Sequence, residues 1–396
     1  MLHNDNGVSR RSVLKVAGAS VATAAGSGLA AAKPDDTVEV NVGFKSERGR
    51  GAALDKADET VREFNSIDVV TIRAAKKAAT ALESNPNIRY VEENGTMHAL
   101  AQDLPWGVDR VDAEVAHDNG DTGSGADIAI IDTGIDSDHE DLQANLGEGE
   151  AFVTCDTGGG CRFGAKPASN TCNQSWDDDN DHGTHCAGTA NAVDNDLGVV
   201  GVSTEATLHA VKVLDKCGSG SNSDIAAGIE WTADQGYDVA SMSLGGDPSS
   251  AVQDAVQYAA DQGVFLVAAA GNDGECTDCV GHPAAYDEVM AVSSTNDSDE
   301  LSSFSSQGPE VEIAAPGSDV YSTVATDGGY DTFSGTSMAC PHVAGVAGLL
   351  MANGNTREEV RQQIKDTAED IGLGDNESGA GLLDAAAALG YDSSDN

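Results

Sequence analysis

The spacing of apolar residues divides the chain into a short N-terminal part and a long body. Between residues 33 and 100, Val38–Phe44, Ile67–Ile72 and Ile88–Val91 alternate like strands, whereas Leu54–Phe64 and Ala74–Leu82 have helical spacing. These elements predict a compact α+β module.

Two apolar runs in the body end at polar residues. Ala126–Gly134 reaches Asp132 and Val264–Asn272 reaches Asn272, and continuous runs of this kind are typical of buried parallel strands. Functional side chains gather where parallel strands end, so both residues are candidates for a site in an α/β fold.

Residues 1–32 have the pattern of an export signal. Arg10 and Arg11 precede a small-residue apolar stretch, Val16–Ala32, that ends in Ala-x-Ala. Paired arginines are typical of twin-arginine export, and the stretch is too weakly apolar to anchor the chain in a membrane. The sequence therefore predicts a secreted, extracellular protein with no membrane anchor.

The formal charge of −45 lies wholly in residues 101–396. Residues 1–100 have 13 basic and 13 acidic side chains, whereas the rest of the chain has 8 and 53. A surface this negative repels phosphates and anionic lipids, which argues against nucleic acids and membrane surfaces as partners. Because the Debye length falls from about 10 Å at 0.1 M salt to about 3 Å at 1 M, the charge favours a salt-adapted protein, although divalent cations could give part of the same relief.

All eight cysteines follow residue 150, which permits disulfide bonds in an exported chain. Cys276 and Cys279 are predicted to close a short loop, and some of the three cysteines between 155 and 172 are predicted to pair. Cys186 and Cys340 are expected to be buried thiols.

Four motifs carry candidate chemistry, in the chain order Asp132, His182, Asn272 and Ser337. A serine hydroxyl attacks a carbonyl when an imidazole takes its proton and a carboxylate orients that imidazole. An Asn amide and a backbone N–H can stabilise the resulting oxyanion. Each residue alone has a structural explanation, such as a helix N-cap for Ser337, but the combination favours catalysis.

Four short segments occur in the order found in subtilisin-like serine proteases: Asp-Thr-Gly, His-Gly-Thr-His, Ala-Gly-Asn and Gly-Thr-Ser-Met-Ala. The chain resembles that family over essentially all of residues 101–390, and its acidic body resembles the halolysins, secreted proteases of extreme halophiles. The resemblance implies a three-layer α/β fold with a mostly parallel central sheet. Flanking helices are expected over 182–192, 222–235, 249–262 and 337–352.

The resemblance also implies roles for the four residues and for the N-terminal module. Asp132 would orient the imidazole, His182 would be the base, Asn272 the oxyanion donor and Ser337 the nucleophile. Residues 33–100 would be an inhibitory, fold-assisting propeptide, removed by self-processing between Leu100 and Ala101. Residues 101–396 would be the catalytic domain with a short acidic tail.

A substrate cleft is implied by the same resemblance. Peptide would bind as an added antiparallel strand along Ser243, Leu244 and Gly245. A pocket for a large hydrophobic residue before the cut bond would be lined by Ala270, Gly271 and Gly281. The acidic run Asp177–Asp181 is predicted to be a solvated loop near this cleft, where a loosely held cation is an alternative.

A structural Ca²⁺ site is implied as well, because a loop rich in Asp and Asn matches the calcium loop of the family. Ca²⁺ takes six to eight oxygens, backbone carbonyls included. The expected ligands are the side chains of Gln102, Asp141 and Asn195 and the carbonyls of Val193, Leu197 and Val199. A simple polar turn is the alternative for this loop.

The sequence favours a broad-specificity serine endopeptidase that hydrolyses peptide bonds through an acyl-enzyme. Ca²⁺ is the expected cofactor, the partners are protein and peptide substrates and the chain's own propeptide, and a monomer is expected. Two alternatives stay open: a catalytically silent, calcium-dependent binding or structural protein with the same fold, and an esterase that uses the same residues.

Overall fold

The computed structural model describes residues 37–64, 66–94, 102–161, 167–274 and 276–393. The chain forms two compact units, one up to His98 and one from Ala99 onward. The predicted export signal at 1–32 and the predicted cleavage point between Leu100 and Ala101 lie outside the described residues.

The N-terminal unit is a four-stranded antiparallel sheet with two helices. Its elements are β1 (Thr37–Phe44), α1 (Glu47–Leu54), β2 (Glu59–Glu63), β3 (Val69–Ala75), α2 (Lys76–Glu83) and β4 (Ile88–Glu93). The strand order is β2–β3–β1–β4. Val42, Ile72, Ala79 and Leu82 are buried between sheet and helices, and the predicted α+β module is present.

One predicted helix in this unit is wrong. The segment Leu54–Phe64 holds the end of α1 and the whole of β2, an edge strand that pairs with β3. Leu54 packs on the core, whereas Val61 and Phe64 are exposed. The apolar residues of this segment therefore do not form one buried face of a helix, although their spacing is helical.

The C-terminal unit is built on a seven-stranded sheet in which all the described strand pairs are parallel. Its strands are β5 (Asp127–Asp132), β6 (Glu150–Ala151), β7 (Thr207–Lys212), β8 (Val239–Met242), β9 (Phe265–Ala269), β10 (Val289–Thr295) and β11 (Val311–Pro316). The order β11–β10–β9–β8–β5–β7–β6 places β5 between β7 and β8. Apart from the short edge strand β6, the strands are largely buried, as expected for a parallel sheet covered on both faces.

Helices flank this sheet, so the three-layer α/β expectation is confirmed. They are α3 (Trp106–Arg110), α4 (Ala113–Asn119), α5 (His182–Asn191), α6 (Asn222–Gln235), α7 (Ser250–Asp261), α8 (Thr336–Ala352), α9 (Arg357–Thr367), α10 (Asp375–Ser378) and α11 (Ala385–Ala388). A two-stranded antiparallel ribbon, β12 (Val320–Val324) and β13 (Gly329–Phe333), leads into α8. Because α8 is apolar all round it is almost wholly buried, as expected for a helix in the middle of a core.

Three disulfide bonds join cysteines of the C-terminal unit: Cys155–Cys172, Cys161–Cys217 and Cys276–Cys279. Cys186 and Cys340 are free and buried. The predicted Cys276–Cys279 loop closure and the two thiols are confirmed; Cys217, as the partner of Cys161, was not predicted. Among the described residues, no helix combines the length and apolarity needed to cross a membrane.

Candidate active site

Asp132 and His182 are brought together at the carboxyl edge of the parallel sheet. Asp132 is the last residue of β5 and is fully buried, and His182 is the first residue of α5. The His182 Nδ1 and the Asp132 Oδ1 are 2.8 Å apart, and the same oxygen accepts the Thr133 N–H at 2.7 Å. A carboxylate in this place fixes the orientation of the imidazole.

The environment of His182 favours its protonated form. Burial opposes protonation, but the charge of Asp132 and its hydrogen bond outweigh burial, so the pKa of His182 is raised above 6.5. The charge of Asp178, four residues earlier, acts in the same direction. The imidazole can therefore hold a proton that it has just received.

The acidic run before α5 is buried, so its prediction as a solvated loop is wrong. Asp177, Asp178 and Asp179 are each at most 1% exposed. Asp178 accepts the Thr184 N–H at 2.8 Å and the Thr184 hydroxyl at 2.7 Å, which satisfies the first turn of α5. The run thus holds the start of the helix that carries His182.

A buried lysine compensates Asp179. The Lys212 Nζ lies 2.6 Å from the Asp179 Oδ1 and also donates to the carbonyls of Thr133, at 2.5 Å, and Leu214, at 3.0 Å. Three donors with three acceptors make this a fully satisfied buried ion pair. It connects the end of β5 to the segment before His182.

Asn272 and Ser337 meet at the start of α8, where Ser337 is the second residue. The Asn272 Oδ1 accepts the Thr336 N–H at 2.9 Å and the Thr336 hydroxyl at 3.1 Å. The Asn272 Nδ2 and the Ser337 backbone nitrogen lie 3.5 and 3.6 Å from the point where a Cβ on Gly335 would stand. Two nitrogens that carry N–H groups therefore border the space that the glycine leaves open, together with the Asn272 Oδ1 at 3.7 Å.

Ser337 lies close to the His182 helix without a direct hydrogen bond to the imidazole. Its hydroxyl donates to the Ser243 carbonyl at 3.3 Å, and its own carbonyl accepts the Cys186 thiol at 3.4 Å. The Cys186 Sγ, a ring nitrogen of His182 and a carboxylate oxygen of Asp132 all lie within 4.8 Å of one another. Within the part of the chain that the structure describes, no hydrogen bond joins His182 to Ser337.

A cleft of about 480 Å³ opens beside these residues. Of the predicted substrate-binding residues, Ser243, Leu244 and Gly245 line it, together with His182. Sequence reasoning missed a further part of the lining, the small-residue segment 217–220 after β7. A Gly-Ser-Gly segment after a buried strand was the available signal for that part of the lining.

Comparison with known proteins agrees with this arrangement. The model of the subtilase family matches residues 123–385, and that of the fervidolysin N-terminal prodomain matches residues 37–94. The chain belongs to the subtilase family. It is 42% identical to M-protease of Shouchella clausii, with 83% of this chain and 81% of the relative covered. It is 38% identical to subtilisin E of Bacillus subtilis, with 87% and 89% covered.

Family membership establishes the class of activity. Subtilisins are serine endopeptidases, and this subtilase is accordingly a subtilisin-type serine protease with an N-terminal prodomain. The expected fold and the expected enzyme class are confirmed.

The remaining predicted pocket residues of the subtilase lie beside Asn272. The Gly281 N–H donates to the Ala270 carbonyl at 2.9 Å, which joins the two short segments. Gly271 has a φ of +116°, a conformation that L side chains rarely adopt. These residues border the site on the β9 side, apart from the cleft wall formed by 243–245.

The six predicted calcium ligands of the subtilase lie close together. The Gln102 Nε2 donates to the carbonyls of Val193 and Val199, at 2.6 and 2.9 Å. The Asp141 carboxylate is fully buried and lies 3.2 Å from the Asn195 amide. The Leu197 N–H donates to Asn195 at 2.6 Å, which shapes the loop between them.

Two buried histidines pack behind the site. His185 stacks on Phe333 with ring centroids 4.5 Å apart, and its Nε2 contacts the Val320 carbonyl at 3.0 Å. Burial lowers the pKa of His185 to about 3 and that of His342 to about 4. Both rings are neutral at neutral pH, and His185 is a packing residue.

Proposed function

We propose that this subtilase is a secreted, self-processing and salt-adapted endopeptidase in which Ser337 is the nucleophile, His182 the base, Asp132 the orienting carboxylate and Asn272 an oxyanion donor. The observation that carries the proposal is that two N–H donors, from Asn272 and Ser337, border one open space next to the serine. The imidazole of His182, held by Asp132, stands at the same edge of the sheet.

The proposed reaction proceeds in two halves. Ser337 Oγ bonds to the carbonyl carbon of the peptide while His182 Nε2 takes the hydroxyl proton. His182 returns this proton to the leaving amine as the C–N bond breaks, which leaves an acyl-enzyme. Water then attacks the ester with the same base, and the serine is restored.

The charged intermediates are stabilised by groups already in place. The oxyanion would accept hydrogen bonds from Asn272 Nδ2 and the Ser337 N–H, and one such donor contributes about 3–4 kcal/mol in subtilisin itself. The Asp132 charge stabilises the imidazolium. Since His182 acts as a base only while neutral, kcat/KM is expected to fall as the pH drops through its raised pKa.

The cleft supports a preference for extended peptides. Backbone along 243–245 is available to an added strand, and the neighbouring small residues Ala270, Gly271 and Gly281 would line a pocket for a large hydrophobic side chain before the cut bond. An esterase would need only a small acyl pocket and no strand-binding edge. The strand-binding edge along 243–245 therefore favours peptide bonds.

A fluorophosphonate probe tests the proposal most directly. The expected result is stoichiometric labelling of the wild-type enzyme, with the modification mapped by mass spectrometry to the peptide that contains Ser337. The unlabelled enzyme should hydrolyse casein, and prior labelling of the enzyme should abolish this hydrolysis. Labelling on another residue, or no labelling of a folded preparation, would refute the assignment; labelling with cleavage of short-chain esters but not casein would favour the esterase.

A structural Ca²⁺ is proposed at the Gln102–Asp141 neighbourhood. The donors fit this ion because carboxylate, amide and carbonyl oxygens are its preferred ligands. Gly198 has a φ of +50°, and a Cβ there would overlap the Asp141 Oδ2 and the Tyr330 hydroxyl, so only glycine lets the loop pass this close to the carboxylate. Gln102, Asp141, Asn195 and the carbonyls of Val193, Leu197 and Val199 would hold the ion and fix the loop.

Thermal unfolding in 2 M NaCl separates this site from general charge screening. Added Ca²⁺ is expected to raise the Tm of the wild type by several degrees, since an ion that binds only the folded state stabilises it. Asp141→Asn should lose this increase. Asp196→Asn, a change at an exposed residue of the same loop, should keep it; equal responses of the two variants would contradict the site.

Secretion and salt adaptation are proposed on the sequence. The export pattern at 1–32 and the secreted class of the resemblance support the first, and the charge of −45 supports the second. The body has 53 acidic and 8 basic side chains, and concentrated salt screens the repulsion between the carboxylates. The folded state should therefore be more stable in concentrated salt. An unchanged Tm between dilute buffer and 3 M NaCl, both with Ca²⁺, would contradict salt adaptation.

A further inference from the structure

The carbonyl of Ser337 lacks the N–H donor that an α-helix normally supplies four residues later. In an α-helix each carbonyl accepts the N–H four residues later. Four residues after Ser337 is Pro341, which lies inside α8 and has no N–H to donate. A buried carbonyl left alone costs free energy, so a replacement donor is required.

Two side chains from other elements replace the missing N–H. The Ser243 hydroxyl donates to the Ser337 carbonyl at 2.8 Å, and the Cys186 thiol approaches it at 3.4 Å. Ser243 is 4% exposed, which leaves little room for water to do the same. An O–H···O bond of this length is of ordinary strength, whereas a thiol is a weak donor.

Ser243 also contacts the side chain of Ser337. Its backbone carbonyl accepts the Ser337 hydroxyl at 3.3 Å. Ser243 directly follows β8, so the sheet edge is joined to both the side chain and the carbonyl of Ser337. This double contact restrains the first turn of α8 at the residue whose backbone nitrogen borders the space beside Gly335.

We infer that Ser243, through its side-chain hydroxyl, is a positioning residue that completes the helix hydrogen bond removed by Pro341 and so holds the Ser337 peptide group in its reactive orientation. This inference rests on the proposed role of Ser337 as nucleophile. It gives the side chain of Ser243 a function separate from the peptide-binding backbone of 243–245.

Ser243→Ala is the direct test, with Ser293→Ala as its matched control. Ser293 is equally buried and its hydroxyl donates to the Glu377 carbonyl at 2.6 Å. All variants are made in the full chain, and their mature enzyme is quantified by fluorophosphonate titration. Ser243→Ala is expected to lower kcat about tenfold, the effect of one ordinary hydrogen bond, with KM within about twofold. Ser293→Ala should keep kcat within about twofold of the wild type.

The Pro341→Ala background isolates the mechanism. Alanine at 341 supplies an N–H at the helical position, so the Ser337 carbonyl no longer depends on Ser243. In this background Ser243→Ala should lower kcat by only about twofold, a non-additivity that reveals the shared hydrogen bond. If the double variant does not fold, Ser243→Thr, which keeps the hydroxyl, should retain kcat within about threefold of the wild type while Ser243→Ala does not.

Three results would overturn the inference: equal losses from Ser243→Ala in both backgrounds, equal losses from Ser243→Ala and Ser293→Ala, or no loss from Ser243→Ala in the wild-type background. A wild-type enzyme that is folded but not labelled by the probe would instead contradict the proposed function. The two failures are therefore distinguishable.

Discussion

Ser337→Ala is expected to lower kcat for peptide hydrolysis by about 10⁶-fold, as removal of the catalytic serine does in subtilisin itself. Without the hydroxyl no acyl-enzyme can form, and His182 has no proton to take from position 337. The oxyanion donors would be intact, so a residual acceleration of about 10³–10⁴-fold over water should be measurable. The assay is casein hydrolysis together with cleavage of a chromogenic peptide.

The same variant tests self-processing. The purified precursor should stay at the size of residues 33–396, whereas the wild type should be trimmed near Leu100. Ser334→Ala is the control, because Ser334 is an exposed serine three residues earlier whose hydroxyl donates to Asp319 at 3.2 Å. Normal trimming of pure Ser337→Ala would show that another protease removes the prodomain, and wild-type turnover by this variant would refute the assignment of the nucleophile.

The parts of the fold that follow from local sequence were predictable. Asp132 ends one apolar run and Asn272 another, runs of this kind are typical of buried strands, and the parallel sheet brings the ends of such strands to one edge. The same logic applies to α8, whose apolar surface on all sides requires a central position. These features depend on residues that are close together in sequence.

The errors and omissions come from contacts between distant segments. The run Asp177–Asp181 has the composition of a solvated loop, and its burial becomes possible only because Lys212, 33 residues after Asp179, brings a compensating charge. The partnership of Ser243 with Ser337 spans 94 residues. A hydrogen bond of this kind has no periodic signal in the sequence, although the proline inside the predicted helix does indicate that one carbonyl needs an outside donor.

Lys212→Met is expected to lower the free energy of unfolding by about 3–5 kcal/mol, because it leaves the Asp179 carboxylate buried without its counter-charge. Both side chains are at most 1% exposed, so water cannot take the place of the ammonium. The change also removes the donor to the Thr133 carbonyl, next to Asp132, and to the Leu214 carbonyl in the cleft wall. Urea denaturation of the Ser337→Ala precursor, which cannot digest itself, provides the measurement.

A second lysine–aspartate pair in the same unit offers a matched comparison. Lys216 is paired with Asp156 at 2.6 Å, but the Asp156 side chain is 67% exposed, so Lys216→Met should cost at most about 1 kcal/mol. The buried pair should also be strongly coupled: Lys212→Met combined with Asp179→Asn should be less destabilised than Lys212→Met alone, since the unpaired charge is gone. Equal effects of the two lysine substitutions, or a double variant as unstable as the sum of its single changes, would mean that charge compensation does not hold the His182 segment against the sheet.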